Sequence, residues 1–406
     1  MGVFELNVSL KSAFLQGQIN AIPSKSYAHR IAICDFFAGN HIENSSQYFS
    51  KDILATVDCL KNLKNGKTDL DCGESGSTLR FLLPVCAVLG GKFTFKGQGK
   101  LLQRPNQELF NLFEKHGLSV KQDDKIYLEG CLKAGEFEIR GDISSQYISG
   151  LLMALPNLKA DSKIILTSPL VSAPYVEITI EVLNGYGVKI EKTDYGFFVK
   201  GNQKFNGNMQ AEGDWSNMAF FLVAGAINGK VTVGNLNLQS AQGDKCIVDI
   251  LKLANANMQV EDAKVTTQKS EIKPFSVDCE NCPDLVPILS VLASFANGES
   301  TLKNIQRLKI KESDRIESTI QTLKEFGIKA TSNGVDLRIY GKGQNQIKTE
   351  GAKVNSYNDH RIVMSASILA LNAQNESLIL QAEAVNKSYP TFFEDYNSLG
   401  GKANAI

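Results

Sequence analysis

The hydrophobic pattern of the chain repeats one arrangement six times: a short polar turn, often containing Ser or Gly, is followed by an apolar segment rich in small residues. The apolar segments are Ala28–Ala38, Leu79–Leu89, Tyr147–Leu155, Met218–Ile227, Leu285–Phe295 and Ile362–Leu371. Because these segments are apolar on nearly every side, we predict that each forms a buried helix. Their spacing of roughly 50 to 75 residues is too long for a solenoid repeat and suits a compact supersecondary unit.

The stretches between the apolar segments contain amphipathic helices and short strands. Surface helices closed by Gly or Asn are predicted at Val182–Gly187, Ile247–Asn255 and Ile316–Gly327. Strands are predicted at Lys163–Thr167, Phe197–Val199, Lys230–Val233 and Leu337–Tyr340. The chain is therefore expected to combine helices and strands in one mixed fold.

Length and charge bear on the number of domains and on the class of partner. A chain of 406 residues exceeds one ordinary core, so two domains are expected. If the six repeats form two sets of three, the domains divide near Glu212–Trp215. The 43 basic residues balance 43 acidic ones, which argues against a protein that binds nucleic acid or a membrane surface. Recognition of anions must then be local, through cations gathered at one place.

The cellular setting that the sequence indicates is the cytoplasm. Met1–Gly17 carries Glu5 in its apolar part and no basic leader, so no signal peptide is predicted. Apolar runs such as Phe81–Leu89 are far shorter than a membrane span. Eight cysteines lie mostly in apolar segments without a disulfide spacing, which indicates reduced thiols. Cys279 and Cys282 form a C-x-x-C pair, but a zinc site would need a second pair at suitable spacing, so free thiols are expected.

The most pointed candidate for chemistry is Lys311–Arg315, where two cations and two carboxylates fall within five residues ahead of a predicted helix. Ser313 is predicted to cap that helix, whose positive end favours anions, and Lys311 and Arg315 strengthen this preference. Glu312 beside two cations suits proton transfer. The alternative is an exposed, charged first helical turn without a further role.

Other helix starts carry a similar mixture of cations and hydrogen-bonding groups. Lys25, Ser26 and Arg30 suit a phosphate or carboxylate grip, although a capped helix with solvated cations fits them equally well. Glu74–Arg80 resembles a flexible anion cradle, and without a P-loop or dinucleotide pattern nucleotide binding is unsupported. Ser144–Gln146 offers three neutral hydrogen-bonding groups, useful for sugar-like hydroxyls, although Ser-rich helix caps are common.

Four further places add candidate groups. Arg104 follows a Gly-rich loop that offers its guanidinium to a cleft, and Lys387 adds a cation near the C-terminus. Asp284 opens an otherwise apolar helix and is predicted to be either a base or a plain cap. Asn358–Arg361 sets a His beside an Arg at the start of a buried helix, with an Asp able to orient either one.

Together these motifs resemble the enolpyruvyl transferase family, and within it the EPSP synthases. The resemblance runs from Pro23 to Pro390, with the motifs in the order that the family has. The matching motifs are Ser24–Arg30 (S-K-S-x-x-x-R), Gly76–Arg80 (a Gly-Thr loop before an Arg), Arg104-Pro105, Ser144–Gln146 (S-S-Q), Ser172–Tyr175 (S-x-P-Y), Lys311–Arg315 (K-E-S/T-D-R), Asn358–Arg361 (N-D-H-R) and Lys387–Pro390 (K-T/S-F/Y-P).

The resemblance implies an α/β fold of two domains, each an inverted barrel of three βαβαββ units, with the active site in the cleft between them. Residues 17–214 would form one domain, on the shikimate 3-phosphate side, and residues 1–16 with 215–406 the other. The implied reaction transfers the enolpyruvyl group of phosphoenolpyruvate to the 5-hydroxyl of shikimate 3-phosphate and releases phosphate. No metal or organic cofactor is implied, the two metabolites are the expected partners, and a cytoplasmic monomer is expected.

The resemblance also assigns residues to each step. The residues implied to bind shikimate 3-phosphate are Lys25, Ser26, Arg30, Ser144, Ser145, Gln146, Ser172, Tyr175, Asp284 and Lys311. The residues implied to bind phosphoenolpyruvate are Lys25, Gly76, Arg104, Gln146, Arg315, Arg361 and Lys387. Asp284 and Glu312 are the candidates for proton transfer, with Lys25 and His360 assisting, because acid and base must exchange roles during addition and elimination.

Departures from the family pattern leave two alternatives. Glu74 stands where the family usually has Asn, which places a negative charge near an anion site, and Arg307 stands where many members have Asn.

A sister enzyme transfers enolpyruvate to UDP-N-acetylglucosamine, but it has Lys-Asn in place of Lys25-Ser26 and a loop cysteine near the position of Arg104. The other alternative is a non-catalytic anion-binding homologue that keeps the fold, against which the retained candidate acids and bases argue.

Overall fold

The computed structural model describes residues 6–42, 50–343 and 351–406. It divides into two compact units, Met1–Ile22 with Glu212–Ile406, which we call the terminal unit, and Pro23–Ala211, which we call the inserted unit. The boundaries implied by the resemblance, at residues 17 and 214, differ from these by a few residues. The difference arises because the strand Leu15–Asn20 pairs in parallel with Gly229–Gly234 and so belongs to the terminal unit.

All six apolar segments form helices, as the sequence predicts. The α-helices of the described residues are Lys25–Ala38 (α1), Lys51–Lys64 (α2), Gly76–Leu89 (α3), Gln107–Lys115 (α4), Ser145–Ala154 (α5), Ala173–Gly185 (α6), Trp215–Asn228 (α7), Ile247–Leu253 (α8), Val286–Ser294 (α9), Arg315–Glu325 (α10), His360–Ala370 (α11) and Phe392–Ser398 (α12). The predicted surface helix Val182–Gly187 is the end of the longer α6, which begins at Ala173.

The strands of the described residues are short and the four predicted ones are among them. They are Val8–Lys11 (β1), Leu15–Asn20 (β2), Asp69–Asp71 (β3), Gly91–Lys96 (β4), Ser119–Gln122 (β5), Ile126–Gly130 (β6), Glu136–Ile139 (β7), Ser162–Leu166 (β8), Ile190–Thr193 (β9), Gly196–Val199 (β10), Gly229–Gly234 (β11), Asn257–Glu261 (β12), Lys264–Gln268 (β13), Ser276–Asp278 (β14), Asn297–Lys303 (β15), Lys329–Ser332 (β16), Leu337–Lys342 (β17), Lys353–Asn355 (β18), Ser377–Leu380 (β19) and Lys402–Ala405 (β20).

These strands build one sheet pattern five times within the described residues. The terminal unit has the orders β2-β11-β13-β12, β14-β15-β17-β16 and β18-β19-β1-β20, and the inserted unit has β3-β4-β6-β5 and β7-β8-β10-β9. In every sheet the first two strands are parallel and the remaining pairs are antiparallel. The order β14-α9-β15-α10-β16-β17 shows the βαβαββ unit that the resemblance implies.

The inserted unit also contains α1 and α2 outside its two sheets. A third sheet is not present among its described residues, and residues 43–49, which belong to the third repeat expected there, lie outside them. The three apolar helices of this unit pack together, α5 against α1 and α3. Gly150 allows the closest approach, because a Cβ there would lie only 2.7 Å from the Arg80 carbonyl oxygen on α3.

In the terminal unit the apolar helices α7, α9 and α11 pack against one another under the three sheets. Nearly every residue of α7 is buried, from Trp215 to Ile227, and the core around it includes side chains of all three repeats. A helix that is apolar on all sides is stable only where it is fully enclosed. The mutual packing of these helices therefore brings the polar residues at their starts, which lie far apart in the sequence, into contact.

Candidate active site

Asp284 lies at the centre of a cluster of cations in the terminal unit. Its Oδ1 atom accepts hydrogen bonds from Lys311 Nζ at 3.2 Å and Arg315 Nη1 at 3.0 Å. Its Oδ2 atom accepts one from Arg361 Nη2 at 3.0 Å. These residues stand at or just before the starts of α9, α10 and α11, which contact one another. The structure therefore gathers three of the cations that the sequence singles out, Lys311, Arg315 and Arg361, around the Asp284 carboxylate.

The helix that follows Lys311 is capped by Asp314, not by Ser313 as the sequence predicts. Asp314 Oδ1 accepts hydrogen bonds from two backbone amides of the first turn of α10, both at 3.2 Å. Ser313 Oγ donates instead to Asp359 Oδ2 at 3.0 Å. The serine thus ties the start of α10 to that of α11, because Asp359 precedes α11 directly.

Arg315 is enclosed by carboxylates, and only 1% of its side chain is exposed. Nε and Nη2 donate to the two oxygens of Asp359 at 2.9 and 3.2 Å, and Nη2 also donates to Glu312 Oε2 at 2.6 Å. Although burial alone would lower it, Asp359, Glu312 and Asp284 raise the pKa of Arg315, so the guanidinium stays charged. Arg315 therefore holds both candidate proton-transfer residues in place, Asp284 and Glu312.

The start of α11 supplies the remaining candidates of this unit. Asp359 Oδ1 accepts a hydrogen bond from the Arg361 backbone amide at 3.0 Å and so caps the helix. His360 is buried, with Nδ1 at 3.9 Å from Asp359 Oδ1. Lys387 is also buried, and its Nζ donates to the Asn358 carbonyl oxygen at 2.7 Å. Asn358 takes a left-handed backbone conformation with φ at 56°.

The charges of this cluster fix the protonation state of Asp284. Burial would raise its pKa, but Arg361, Lys311 and Arg315 together hold the pKa of Asp284 well below the ordinary carboxyl value. Burial also lowers the pKa of Lys311, an effect that Asp284 opposes. Near neutral pH the cluster therefore contains an ionised carboxylate and cations close enough to bind an anion.

Asp244, which the sequence did not single out, is a second buried carboxyl group near Asp284. It lies in a short 3-10 turn, Gly243–Cys246, before α8, and is 2% exposed. Ser216 Oγ donates to Asp244 Oδ2, whereas Oδ1 has no hydrogen-bond partner in the part of the chain that the structure describes. Burial first, and then the negative charge of Asp284, raise the pKa of Asp244 to about 8.

Because the pKa of Asp244 is raised in the folded protein, we predict that the free energy of unfolding depends on pH. The substitution Asp244→Asn should remove this dependence. The folded protein keeps a proton that the unfolded chain, with a carboxyl pKa near 3.8, releases. The contribution of this proton to the free energy of unfolding is therefore full below the pKa that Asp244 has in the unfolded chain. It is lost as pH rises towards 8, at up to about 1.4 kcal/mol per pH unit. Urea unfolding between roughly pH 5 and 8 measures the slope.

We expect Asp244→Asn to lose less stability over this interval than the unsubstituted protein does. Asp249→Asn, at an exposed position of α8, is the matched control and should keep the original slope. Equal slopes for all three proteins would show that Asp244 is ionised in the folded state and would contradict the prediction.

In the inserted unit, Lys25 begins α1 and forms an ion pair with Asp52. The Nζ–Oδ2 distance is 3.0 Å, and both side chains are largely covered, at 18% and 13% exposure. The Asp52 carbonyl oxygen accepts a hydrogen bond from Thr78 Oγ1 at 3.2 Å, which links α2 to the start of α3. Lys25 is therefore held beside the Gly76–Arg80 motif rather than extended into solvent.

Arg30 is buried and bonded to protein groups, whereas the sequence allowed a solvated cation or a phosphate grip. Its Nε donates to Thr179 Oγ1 at 2.6 Å, and Nη2 donates to the Tyr175 carbonyl oxygen at 2.8 Å and to Ser149 Oγ at 3.2 Å. The guanidinium also lies over the Phe81 ring, 4.9 Å from its centre. Arg30 thus connects α1, α5 and α6, and burial lowers its pKa to about 10.

Gly76 and Arg104 are in direct contact. A Cβ at Gly76 would lie 2.6 Å from Arg104 Nη1, so a larger residue there would displace the guanidinium from the start of α3. Glu74, the unusual residue of this loop, turns towards Gly99, where a Cβ would lie 2.8 Å from Glu74 Oε2. Its carboxylate therefore packs against the glycine-rich loop that precedes Arg104.

Gln146 is oriented by the groups around it. Its Oε1 atom accepts a hydrogen bond from Arg80 Nη1 at 2.8 Å, and its Nε2 donates to Ser77 Oγ at the same distance. Arg80 is in turn fixed by Asn106 Oδ1 at 3.1 Å and by the Pro105 carbonyl oxygen at 3.0 Å. The S-S-Q motif and the loop of Arg104 are thus joined through one buried arginine.

The remaining candidates of the inserted unit lie at two further helix starts. Ser144 caps α5, since its Oγ accepts a hydrogen bond from the Gln146 amide at 3.3 Å, and Ser145 beside it is buried. Ser172 precedes α6 with a left-handed φ of 54°, and Tyr175 lies in the first turn of α6. Helix starts that expose amides and hydroxyls are suited to bind anionic or hydroxylated ligands.

Three further properties concern the described residues as a whole. No group of three or more His, Cys, Asp or Glu side chains within residues 6–42, 50–343 and 351–406 is arranged to hold a metal ion. None of the helices in these ranges combines the length and apolar content that crossing a membrane requires. The eight cysteine thiols, all within the described ranges, are free.

Two solved structures of enolpyruvyl transferases share this architecture. EPSP synthase from Acinetobacter baumannii superposes with a TM-score of 0.81 at 23% identity, covering 99% of this chain and 100% of that one. The enolpyruvyl transferase NikO from Streptomyces tendae superposes with a TM-score of 0.78 at 14% identity, covering 99% of both chains. At these identities the likeness establishes the fold, two-domain and mixed α/β.

Sequence comparison identifies the family. The family model described as EPSP synthase (3-phosphoshikimate 1-carboxyvinyltransferase) matches residues 10–396. Curated relatives named 3-phosphoshikimate 1-carboxyvinyltransferase include one from Clostridium novyi (strain NT), 38% identical over 97% of this chain and 98% of its own length. Another, from Clostridium acetobutylicum, is 39% identical over 97% of both chains. The chain belongs to the EPSP synthase family.

Proposed function

We propose that this protein transfers the enolpyruvyl group of phosphoenolpyruvate to the 5-hydroxyl of shikimate 3-phosphate, releasing phosphate. The reaction serves the shikimate pathway, which leads to chorismate and the aromatic amino acids. The observation that carries the proposal is Asp284, a carboxylate kept ionised by Lys311, Arg315 and Arg361. Membership of the EPSP synthase family supports the choice of substrates. A monomeric state and a cytoplasmic location are part of the same proposal.

Addition–elimination needs a base and an acid beside an anion site. In the first step the 5-hydroxyl oxygen bonds to C2 of phosphoenolpyruvate, its proton passes to a base, and C3 takes up a proton. In the second step C3 loses a proton and the bond from C2 to the phosphate oxygen breaks. Asp284, ionised among cations, suits the removal of the hydroxyl proton. Glu312, held by Arg315 at 2.6 Å, suits the exchange of a proton with C3.

The cations have a separate task. Arg315, Arg361 and Lys387 in the terminal unit would meet the phosphate and carboxylate of phosphoenolpyruvate, with Arg104 above Gly76 in the inserted unit. Guanidinium groups bind such anions bidentately and stabilise charge that moves during the reaction. We propose that this set and the group around Lys25 and Gln146 act on one pair of substrates, with His360 and Lys25 assisting proton transfer.

We propose that one set of residues binds shikimate 3-phosphate. It comprises Lys25, Ser26, Lys311, Asp284 and the helix starts at Ser144, Ser145, Ser172 and Tyr175. Hydroxyl and amide groups there match the hydroxyls of a cyclohexene ring, and the lysines match a phosphate. Arg30 differs from the rest of this set because its guanidinium already bonds Thr179, Ser149 and Tyr175. We therefore propose that Arg30 positions α1 and α6 rather than binding the phosphate alone.

A phosphate-release assay tests the proposed reaction. With phosphoenolpyruvate and shikimate 3-phosphate, the protein should release phosphate in proportion to the shikimate 3-phosphate consumed. With phosphoenolpyruvate and UDP-N-acetylglucosamine it should release none. Release with the UDP-sugar alone would move the protein to the sister activity. A folded protein that releases phosphate with neither acceptor would be a non-catalytic member, which would overturn the proposal.

A further inference from the structure

A chain of hydrogen bonds links α1, α2 and α3 inside the inserted unit. His29 Nδ1 of α1 lies 2.8 Å from Thr56 Oγ1 of α2, and that hydroxyl lies 2.6 Å from Thr78 Oγ1 of α3. Thr78 Oγ1 donates in turn to Ser75 Oγ at 2.7 Å and to the Asp52 carbonyl oxygen at 3.2 Å. His29, both threonines and Ser75 are buried, each at most 1% exposed. Water therefore cannot replace a partner that one of these side chains loses.

The acceptors at one end of the chain set the direction of its other bonds. A carbonyl oxygen can only accept, so the single hydroxyl proton of Thr78 points away from Thr56, towards Asp52 and Ser75. The hydroxyl proton of Thr56 must then lie in the 2.6 Å bond to Thr78 Oγ1. Because Thr56 has no second proton, it can only accept from His29 Nδ1. The geometry thus requires the tautomer of His29 that carries its proton on Nδ1.

The surroundings of His29 favour the same state of the ring. Burial first, and then the charges of Lys25 and Arg30, hold the pKa of His29 well below its ordinary value, so the imidazole is neutral. Its Nε2 atom has no hydrogen-bond partner among the described residues. A buried N–H group without an acceptor is unfavourable, which disfavours a proton on Nε2. His29 is therefore a neutral donor through Nδ1.

One branch of the chain ends beside Lys25, a residue of both proposed substrate sets. Lys25 lies one helical turn before His29 on α1, and its Nζ pairs with Asp52 Oδ2 at 3.0 Å. The carbonyl oxygen of the same Asp52 accepts from Thr78. The chain therefore fixes the backbone of the residue that holds the Lys25 ammonium group.

The other branch ends at the start of α3. Ser75 Oγ caps this helix by accepting a hydrogen bond from the Thr78 amide at 3.1 Å, in addition to the one from the Thr78 hydroxyl. Gly76, the first residue of α3, contacts the Arg104 guanidinium. The same chain thus relates the position of Lys25 to that of the Gly76–Arg104 pair.

We propose that His29 is a positioning residue for enolpyruvyl transfer, whose Nδ1–H group acts through Thr56 and Thr78 to hold Lys25 at a fixed distance from the start of α3. The inference rests on the proposed function, because Lys25 and Gly76 are among the groups proposed to meet the substrates. Without the donor, Thr56 is held from one side only, and the packing of α1 on α2 that places Asp52 loosens. A misplacement of about 1 Å costs on the order of 100-fold in rate, so a smaller shift is still measurable.

Three substitutions separate the donor from the bulk of the side chains. His29→Leu keeps an apolar side chain but removes both ring nitrogens. His29→Asn restores an N–H group at the branch of the side chain where Nδ1 stands. Thr56→Val keeps the shape of the threonine and removes its hydroxyl. Thr68→Val is the matched control, because Thr68 is exposed and lies just before β3 in the same unit.

Kinetics, binding and stability are measured on the full-length protein in every form. Phosphate release is followed with each substrate varied in turn, shikimate 3-phosphate binding by calorimetric titration, and stability by urea unfolding. A purely structural chain would change only the urea midpoint, whereas a positioning role changes kcat/KM and the dissociation constant of folded protein. A long-range proton–nitrogen NMR spectrum of the unsubstituted protein, labelled in its histidine rings, reports the tautomer. The His29 signals are those that His29→Asn removes.

We expect His29→Leu and Thr56→Val to lower kcat/KM by at least about tenfold and to weaken the binding of shikimate 3-phosphate. His29→Asn and Thr68→Val should stay within about threefold of the unsubstituted protein, and the His29 proton should lie on Nδ1. A proton on Nε2, unchanged kinetics of folded Thr56→Val, or an asparagine variant as impaired as the leucine variant would each overturn the inference. If His29→Leu fails to fold, Thr56→Val and the NMR spectrum decide.

The titration separates this inference from the proposed function. An unsubstituted protein that releases no phosphate would reject the proposed function. In that case, weaker binding of shikimate 3-phosphate by Thr56→Val than by Thr68→Val would still support the positioning of Lys25. Equal binding by the two variants, or binding by no form of the protein, would overturn it.

Discussion

Asp284→Asn lowers the turnover of phosphoenolpyruvate and shikimate 3-phosphate by about 1,000-fold, within the range that general acid–base groups contribute. The amide keeps the size of the side chain but cannot take the hydroxyl proton. It also leaves Lys311, Arg315 and Arg361 without the carboxylate that accepts their hydrogen bonds at 3.0 to 3.2 Å. Initial rates of phosphate release at saturating substrates measure the loss.

The matched control for this substitution is Asp278→Asn. Asp278 lies six positions earlier, is exposed, and accepts a hydrogen bond from Asn304 Nδ2 at 2.8 Å. Its variant should turn over at close to the unsubstituted rate. Circular dichroism of both variants shows whether the fold is kept. If folded Asp284→Asn retained more than about a tenth of the turnover, Asp284 could not be the base.

Lys311→Met reduces turnover by about 100-fold or more, and the larger part of the loss concerns shikimate 3-phosphate. Methionine preserves the apolar stem of the lysine but removes the ammonium group, which is the partner of Asp284 at 3.2 Å. Loss of a charge-assisted contact to a phosphate or a hydroxyl raises KM, and displacement of Asp284 lowers kcat. Steady-state kinetics with each substrate varied in turn separates the two effects.

Lys309→Met is the control for the loss of a lysine in this segment. Lys309 lies in the 3-10 turn Gln306–Ile310, which ends just before Lys311; it is exposed and is not part of the cluster around Asp284. Its kinetic constants should match those of the unsubstituted protein. Equal, small effects of both substitutions would place Lys311 outside the site and confine the proposal to the arginines.

The helices of this fold could be predicted from the sequence because their pattern is extreme. A segment that is apolar on every side must be enclosed, and α7 and α11 are buried along almost their whole length. The sheets were harder to predict. Strands of three to seven residues carry little periodicity, and β1 and β2 pair with partners more than 200 residues away.

The details of the site depend on contacts that no local pattern contains. Ser313 looked like a cap, yet its hydroxyl is taken by Asp359, 46 positions further on, which leaves capping to Asp314. Arg30 looked like a solvated cation or a phosphate grip, yet its partner Thr179 lies 149 positions away. Side-chain partners are set only when the helices pack, so a local motif could not predict the contacts of Ser313 and Arg30.

Asp244 is a residue of the site that no sequence motif indicated. A single carboxylate before an amphipathic helix carries no sequence signal of its own. Its importance arises from burial, from the hydroxyl of Ser216 and from the proximity of Asp284, all of which are properties of the packed terminal unit. Asp359 is similar, because its role as the acceptor for Arg315 becomes visible only when α10 and α11 are in contact.

The most direct test of the central claim is the carbon-13 NMR spectrum of products formed in D2O from phosphoenolpyruvate labelled at C3 and shikimate 3-phosphate. The account predicts a labelled carboxyvinyl ether on the 5-oxygen of shikimate 3-phosphate, one phosphate for each ether, and deuterium at C3, because that carbon gains and loses a proton during the reaction. Labelled pyruvate with free phosphate, or an ether without deuterium, would contradict it.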